Sequence, residues 1–332
     1  MKSKRIIVVG ATGRVGREML SILHEICIPR ENISAAASSR SQGKFLDYGN
    51  EKIEVKNLDD IDFSNYDIAL FSAGSAVSEK YAPIAANAGC FVIDNTSFFR
   101  MHKNIPLIVP EINFSDLKNY DSRIIANPNC STIQMVMALK PLHDCFSLKE
   151  IVVSTYQAVS GAGQKGVDEL LEQIHDLANN NAPKHNHFKK QIAFNLIPQI
   201  DSFSDLDYTK EEWKMINETK KILGINDLII TSTCVRVPVF AGHAVSVLAK
   251  FEKNIDINQA IEALNNFDGV KVIDDIRNYE FATPIDSEGK NEVFVSRIRK
   301  HPNLDNALNF WCVADNLRKG AALNAIQIAE RL

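Results

Sequence analysis

The sequence has few cysteines, no long hydrophobic run and no strong excess of charge of either sign. Its six cysteines form no CxxC pair, which argues against a zinc site, and we expect reduced thiols. No apolar stretch approaches the roughly 20 residues that span a bilayer, and the short run before Gly10 is too brief for a signal peptide. A net charge of −4 argues against a nucleic-acid or membrane surface. We therefore expect a cytoplasmic protein that binds no metal.

The 332 residues are enough for about two domains. In the first part, short apolar runs alternate with helical patterns, which predicts a Rossmann-like, doubly wound parallel sheet of the α/β class. From about residue 150, long β-branched runs predict a second domain, of the α+β class, with a larger mixed sheet. We expect the amphipathic stretch Arg318–Leu332 to fold back onto the first domain. The predicted domains are residues 1–129 with 313–332, and residues 130–312.

Three glycines follow the first predicted strand, in the segment Gly10-Ala-Thr-Gly-Arg-Val-Gly16. The pattern is a variant of the dinucleotide fingerprint: Gly10 permits a sharp turn, Gly13 lets the backbone approach a pyrophosphate, and Gly16 allows close helix–strand packing. Free N–H groups at the start of the following helix favour phosphate. The predicted cofactor-binding residues of this turn are Gly10, Thr12, Gly13, Arg14, Val15 and Gly16.

The end of the second predicted strand, Ile33–Ala37, carries no acidic residue. NAD-binding folds usually place an acid there to hold the ribose 2′-hydroxyl, whereas hydroxyls and a guanidinium suit a 2′-phosphate. The sequence therefore favours NADP over NAD, and the alternative is that the arginine is merely a solvated loop residue. The residues concerned are Ser38, Ser39, Arg40 and Ser41.

A cysteine stands where a predicted strand, Ile124–Ala126, gives way to a helix through the tight turn Asn127-Pro-Asn129. Unpaired N–H groups and the helix dipole stabilise a thiolate at such a position. The same N–H groups can hold an oxyanion when the thiolate adds to a carbonyl. We therefore predict that Cys130 is a nucleophile.

Taken together, the motifs resemble those of bacterial-type aspartate-β-semialdehyde dehydrogenase over essentially the whole chain. The resemblance rests on eight segments in the same order. They are Gly10-Ala-Thr-Gly-Arg-Val-Gly16, Ser39-Arg-Ser-Gln-Gly-Lys44, Asp94-Asn-Thr-Ser-Phe-Phe-Arg100, Asn127-Pro-Asn-Cys-Ser-Thr132, Tyr156-Gln-Ala-Val-Ser-Gly-Ala-Gly163, Glu211-Glu-Trp-Lys-Met215, Cys234-Val-Arg-Val-Pro238 and Gly242-His243.

The resemblance implies reversible, NADP-dependent interconversion of L-aspartyl-4-phosphate and L-aspartate-4-semialdehyde with phosphate, through a cysteine thioester. It places the protein in lysine, threonine, methionine and diaminopimelate biosynthesis, as a homodimer formed through the second domain. It implies that Cys130 is the acyl acceptor, His243 the general acid/base, and Gln157 a neighbour of the thioester. A histidine with an ordinary pKa of about 6.5 could move a proton in either direction.

The resemblance also implies how the substrates are held. It assigns Arg236 to the substrate carboxylate and Glu211 to the substrate ammonium, so that a zwitterion meets one anchor of each sign. It assigns Arg100, Lys214 and Asn129 to the phosphate. On the nicotinamide side it places Ser160, Gly161 and Asn316.

Alternative functions remain open at this point. N-acetyl-γ-glutamyl-phosphate reductase performs the same chemistry, but its family favours glycine before the cysteine, where this chain has Asn129, and its acetylated substrate has no ammonium for Glu211. Glyceraldehyde-3-phosphate dehydrogenases carry an acid after the second strand, which is absent here. A catalytically inactive paralogue acting as a binding protein usually loses its nucleophile or base, whereas Cys130 and His243 are both present.

Overall fold

The computed structural model describes all residues from Met1 to Leu332, which form two compact units. The first unit contains Met1–Asn129 and Ala321–Leu332, and the second contains Cys130–Gly320. Residues 313–320, which we predicted in the first domain, lie in the second unit. The last strand of its sheet continues to Ala314, and the side chains of Asp315 and Arg318 bond to Gly289 and Asn291 of the same unit. No helix combines the length and apolar character needed to cross a membrane.

The chain alternates strands and helices. The strands are β1 (Ile6–Val9), β2 (Ile33–Ala37), β3 (Phe45–Tyr48), β4 (Glu51–Asn57), β5 (Ile68–Phe71), β6 (Phe91–Asp94), β7 (Ile124–Ala126), β8 (Leu148–Gln157), β9 (Ile229–Arg236), β10 (His243–Phe251), β11 (Val270–Val272), β12 (Asp274–Asp275), β13 (Glu280–Phe281), β14 (Val293–His301) and β15 (Leu304–Ala314). The α-helices are α1 (Arg14–Glu25), α2 (Ser75–Asn87), α3 (Pro110–Asn113), α4 (Cys130–Phe146), α5 (Gln164–Ala178), α6 (Lys210–Leu223), α7 (Ile257–Asn265), α8 (Pro284–Ser287) and α9 (Leu323–Glu330).

The first unit is built on one twisted sheet of order β3-β4-β2-β1-β5-β6-β7. All neighbours pair in parallel except β3 and β4, which form an antiparallel hairpin at one edge. Strands β1 and β5 are buried along their whole length, as expected of parallel strands covered on both faces. The predicted Rossmann-like α/β class is confirmed.

The C-terminal helix α9 completes the hydrophobic core of the first unit. Its side chains Ile326 and Ile328 are fully buried in the same cluster as the apolar side chains of α1 and β1. A buried amide pair holds the helix in place: Asn324 Nδ2 donates to Asn127 Oδ1 at 2.7 Å and to the Ile108 carbonyl at 3.0 Å. The return of the chain to the first unit therefore rests on apolar packing and on paired buried amides.

The second unit contains a mixed sheet of order β11-β14-β15-β10-β8-β9. Strands β8 and β9 pair in parallel, whereas β10 runs antiparallel to both β8 and β15. The long helix α4 is apolar on nearly all sides and buried along most of its length. The mixed sheet predicted for this part of the chain is confirmed.

Candidate active site

Three polar side chains of the second unit lie at one end of the neighbouring strands β10, β8 and β9. Gln157 and Arg236 are the last residues of β8 and β9 and pair with each other in the register of the sheet. His243 is the first residue of the antiparallel β10, next to the pair formed by Ala244 and Tyr156. The carboxyl ends of β8 and β9 thus meet the amino end of β10. Sequence positions almost ninety residues apart are brought to the same edge by strand pairing alone.

His243 is a neutral, fully buried side chain with a defined tautomer. The Ala158 N–H donates to His243 Nδ1 at 3.1 Å, so the proton of the neutral ring is on Nε2. Burial, together with the nearby Arg236 charge, lowers its pKa to about 3. The expectation of an ordinary pKa near 6.5 is therefore wrong, and the resting side chain is a hydrogen-bond donor.

The Nε2 atom of His243 is buried and has no hydrogen-bond partner within the protein. Leaving such a donor unpaired is costly unless a ligand satisfies it. Gly161 lies directly against it: a Cβ on Gly161 would approach Nε2 to 3.0 Å and Arg236 Nη1 to 2.8 Å. Glycine at this position thus leaves open the space in front of both side chains.

Arg236 shares a backbone anchor with His243. Its Nη1 donates to the Ala158 carbonyl at 2.7 Å, while the N–H of the same residue holds the imidazole. The side chain is buried, and its pKa is lowered by that burial against the opposing influence of Glu211 and Cys130. The Ala158 peptide, directly after β8, therefore orients both the Arg236 guanidinium and the neutral His243 imidazole.

Cys130 is the first residue of α4, as predicted, and its side chain is half-buried. The chain packs tightly behind it, because a Cβ on Gly320 would lie 2.8 Å from the Cβ of Cys130. A thiol at the start of a 17-residue helix lies at the positive end of the helix dipole. This position favours the thiolate form.

A chain of polar contacts runs from α4 to α6. Gln157 Nε2 donates to Ser131 Oγ at 2.7 Å and to Glu211 Oε1 at 3.1 Å. Glu211 Oε2 accepts from Lys214 Nζ at 3.0 Å, and the same Nζ lies 3.1 Å from Asp201 Oδ2. Burial on its own would lower the pKa of Lys214, but the two carboxylates outweigh it and hold that pKa above its usual value. Gln157, Glu211 and Lys214 are thus brought together.

Three further residues form a buried junction next to the histidine. Ser160 Oγ donates to Asn316 Oδ1 at 3.1 Å, and the Gly242 N–H donates to the same oxygen at 3.0 Å. Gly242 has φ of 82°, and a Cβ there would strike Pro284. Ser160 and Asn316, both predicted on the nicotinamide side, are therefore linked to each other and to the residue before His243.

In the first unit, the predicted glycine turn has a shape suited to a bound dinucleotide. The N–H groups of Gly10 and Ala11 donate to the Ala36 carbonyl, which ties the turn to the end of β2. A Cβ on Gly10 or Gly16 would collide with backbone, at 2.8 Å from Ala73 N and at 2.7 Å from Ala11 Cα respectively. A Cβ on Gly13, in contrast, would meet only the Gly10 carbonyl within 4 Å. The turn therefore fits the approach of a pyrophosphate to Gly13.

The rest of the predicted cofactor contacts in the first unit lie near the surface. Thr12, Arg14 and Val15 are half-buried at the start of α1. Ser39–Ser41 form a short 3₁₀ turn directly after β2, with Ser38 at its start. The guanidinium of Arg40 is exposed and makes no ion pair or hydrogen bond within the protein.

The predicted phosphate residues Arg100 and Asn129 are buried in the first unit. Arg100 Nη2 donates to the Asn95 carbonyl at 3.0 Å. Asp94 anchors the start of the loop that leads to Arg100, because its carboxylate accepts from Ser78 Oγ at 2.7 Å and from the Thr96 N–H. Burial raises the pKa of Asp94. Their role towards phosphate stays a prediction.

Sequence reasoning missed four contributors to the site. The Ala158 peptide and Gly320 act through backbone and close packing, which leave no signature in residue type. Ser131 belongs to a matching motif but carried no assigned role. Asp201 lies in a polar loop ten residues before Glu211, with nothing in its neighbourhood to mark it. No group of three or more side chains that could bind a metal ion is present.

Known families match both units. Residues 5–120 match the family model "Semialdehyde dehydrogenase, NAD binding domain", and residues 139–319 match "Semialdehyde dehydrogenase, dimerisation domain". The aspartate-semialdehyde dehydrogenase of Aquifex aeolicus is 49% identical over 99% of this chain and 97% of that protein. Aspartate-semialdehyde dehydrogenase 2 of Vibrio cholerae is 48% identical over 98% of this chain and 97% of that protein.

A solved structure agrees with these relatives. The crystal structure of aspartate semialdehyde dehydrogenase II from Vibrio cholerae, complexed with ASA, superposes with a TM-score of 0.94 at 47% identity, covering 98% of this chain and 97% of that one. Sequence identity and superposition thus indicate the same family over nearly the full length of both proteins. The chain belongs to the aspartate-semialdehyde dehydrogenase family of oxidoreductases.

Proposed function

We propose that this protein catalyses the reversible, NADP-dependent reductive dephosphorylation of L-aspartyl-4-phosphate to L-aspartate-4-semialdehyde, in aspartate-family amino-acid biosynthesis in the cytoplasm. The observation that carries the proposal is the buried, unpartnered Nε2–H of His243 beside Arg236 in the second unit. It is a donor prepared for an oxygen that gains negative charge during reaction. All six cysteines are free thiols, which suits a reducing compartment.

The proposed chemistry begins with the Cys130 thiolate. Its sulfur attacks the acyl carbon, the carbon–oxygen bond to phosphate breaks, and phosphate leaves with the bonding electrons to give a thioester. NADPH, when bound, supplies the hydride that reduces this thioester. The resulting hemithioacetal oxyanion collapses, the carbon–sulfur bond breaks, and the thiolate leaves as the aldehyde forms. His243 donates from Nε2 to the acyl oxygen, and Gln157 orients the acyl group.

Residues of opposite charge would hold the amino-acid part of the substrate. Arg236 Nη1 is occupied by the Ala158 carbonyl, and we propose that the rest of its guanidinium binds the substrate carboxylate. Glu211 is buried, and one of its carboxylate oxygens pairs with the Lys214 ammonium. We propose that Glu211 binds the substrate ammonium. We assign the departing phosphate to Arg100, Asn129 and Lys214, because a dianion requires cations and donors.

For the cofactor, the glycine turn and the start of α1 would hold the pyrophosphate, since Gly13 leaves open space at the amino end of that helix. We propose that Ser38, Ser39, Arg40 and Ser41 bind a ribose 2′-phosphate, which makes NADP the cofactor. We assign Ser160, Gly161 and Asn316 to the nicotinamide side. The NADP preference is supported by the exposed, unpaired guanidinium of Arg40 and by the lack of an acid after β2.

The test of the proposed reaction is direct. Purified protein is mixed with L-aspartate-4-semialdehyde, phosphate and NADP, and NADPH formation is followed by its absorbance. We expect turnover in the wild type and a loss of at least about four orders of magnitude in Cys130→Ala, because the covalent route is removed. Activity unchanged in that variant would exclude the thioester. Turnover of the N-acetyl-glutamyl analogue instead would favour the reductase alternative, and no turnover of either would favour a binding protein.

The cofactor assignment has its own test. Arg40→Ala should reduce kcat/KM with NADP by about tenfold or more while leaving that with NAD nearly unchanged, because only NADP carries the 2′-phosphate. The measurement is initial rates with both cofactors for wild type and variant. An unaltered NADP preference would reject the assignment.

We also propose that the protein is a homodimer formed through the second unit, whose residues match a family model described as a dimerisation domain. Large apolar side chains are exposed there, including Ile276, Tyr279 and Ile285 at 64%, 82% and 81%. An interface between two subunits would cover such side chains. Light scattering should give twice the chain mass of 37.0 kDa.

A further inference from the structure

The ammonium of Lys214 lies between two carboxylates. Its Nζ is 3.0 Å from Glu211 Oε2 and 3.1 Å from Asp201 Oδ2. Glu211 is 5% exposed, whereas the Asp201 side chain is 39% exposed. The sequence motif explains Glu211 and Lys214 but gives Asp201 no role.

Asp201 is not a loose surface charge. Its Oδ1 accepts the Ser202 N–H at 2.8 Å, and Gln199 Nε2 donates to its backbone carbonyl at 3.1 Å. Its φ of 69° lies in the left-handed region, which aspartate tolerates better than most residues. The same segment pairs with Arg236 through Ile197, by backbone bonds of 2.8 and 3.0 Å. The carboxylate is therefore directed at Lys214 by a fixed turn at the wall of the site.

The existing contacts leave Glu211 fully engaged. One of its oxygens accepts from Gln157 and the other from Lys214. A substrate ammonium that binds Glu211 has to share this carboxylate with Lys214, and two ammonium groups on one buried carboxylate repel each other. Lys214 already touches Asp201, so it has a second carboxylate within reach of the same nitrogen.

We propose that Asp201 is a specificity-determining positioning residue, which retains the Lys214 ammonium when the substrate ammonium takes its place on Glu211. The inference rests on the proposed function, in which Glu211 binds the amino group of the substrate. Asp201 then acts through Lys214 without touching the substrate. It also balances charge: Glu211 and Asp201 offset Lys214 and Arg236, so the pocket favours a zwitterion over an anion.

Removing the Asp201 charge has opposite effects on the two substrates. In Asp201→Asn, Lys214 has only Glu211 as a carboxylate partner and competes with the substrate ammonium. The pocket also gains net positive charge, which favours phosphate. KM for the amino-acid aldehyde should rise while KM for phosphate stays level or falls. A merely structural role would move both constants in the same direction.

The experiment uses the full-length enzyme in the oxidative direction, with L-aspartate-4-semialdehyde, phosphate and NADP varied in turn. For Asp201→Asn we expect KM for the aldehyde to rise about fivefold, with kcat changed by less than about twofold. Discrimination against succinic semialdehyde, which lacks the ammonium, should shrink by about the same factor. Asp201→Glu, which restores the charge, should recover most of the difference.

The matched control is Asp205→Asn, which removes the same charge from an exposed side chain of the same segment. It should leave both KM values unchanged. Parallel shifts of the two constants, or equal effects of the two variants, would overturn the proposal. So would failure of Asp201→Asn and Asp201→Ser to fold, since Asp201 would then be structural. Absence of wild-type turnover would instead contradict the proposed function.

Discussion

At the scale of single residues, the main finding is that a histidine expected to exchange protons freely is held neutral. The Ala158 N–H fixes the Nε2–H tautomer, and burial lowers the pKa of His243 to about 3. For Nε2 to accept a proton, the ring would have to give up this hydrogen bond or become a buried cation next to Arg236. The structure therefore favours a donor role in both directions of the reaction.

This pKa predicts a dependence of stability on pH. His243 takes up a proton in the unfolded chain below about pH 6.5 but stays neutral in the folded protein until about pH 3. Its contribution to stability is therefore complete above pH 6.5 and is lost progressively as the pH falls towards 3. Between pH 6.5 and 5, we expect the free energy of unfolding of the wild type to fall by about 2 kcal/mol more than that of His243→Gln.

Urea unfolding of both proteins across this pH range provides the measurement. Equal slopes for wild type and variant would show that His243 titrates normally in the folded protein. The other titrating groups are common to the two proteins, so they cancel in the comparison.

Gly161 is the second residue whose role is geometric. In Gly161→Ala, the new Cβ would enter the space in front of His243 Nε2 and Arg236 Nη1, at 3.0 and 2.8 Å. Small displacements of reacting groups cost large factors in rate, and we expect kcat to fall by about a hundredfold. Stability should fall by only about 1 kcal/mol, because the contacts are with side-chain ends. Steady-state kinetics and urea unfolding check this, and an unaffected kcat would contradict it.

At the scale of elements, the sequence predicted what apolar runs and glycines encode. Strands β2 and β7 have the predicted bounds because each is a short apolar run buried in a parallel sheet. The β3–β4 hairpin was missed. Its alternation is masked by charged residues on the exposed face, as in Glu51–Asn57, where only Ile53 and Val55 are buried.

The candidate site was predictable to a similar degree. Side chains with distinctive chemistry in a fixed order, such as Cys130 and His243, could be found from the sequence. The backbone of Ala158 and the carboxylate of Asp201 could not, because their roles arise from strand register and loop geometry. Long-range pairing of this kind is set by the fold and not by local pattern.

Helix α5 organises the loop that follows it. Glu169 is buried, and its carboxylate accepts the N–H groups of Asn186, His187 and Phe188. In Glu169→Ala these donors lose a charged partner, so we expect amide exchange at residues 186–188 to accelerate by about tenfold or more. The exposed Glu172 on the same helix offers a control, and Glu172→Ala should leave the exchange rates unchanged. Equal protection in both variants would show that the carboxylate does not order the loop.

At the scale of the whole molecule, a late segment of the chain completes an early unit. In Asn324→Leu, the buried Asn127 Oδ1 and Ile108 carbonyl lose their donor. We expect the free energy of unfolding of the first unit to fall by about 3 kcal/mol. Urea unfolding followed by a probe in that unit measures it. Glu330→Gln, an exposed change on the same helix, should alter it by no more than about 0.5 kcal/mol. A loss no larger than in this control would contradict the structural role of Asn324.

The order of synthesis gives this arrangement a further consequence. Residues 1–129 leave the ribosome first, but their hydrophobic core includes side chains of α9, which is made some two hundred residues later. The apolar face of the nascent amino-terminal unit that α9 covers therefore stays exposed while the whole second unit is translated. During that interval the exposed face favours aggregation or binding by chaperones, until α9 emerges and covers it.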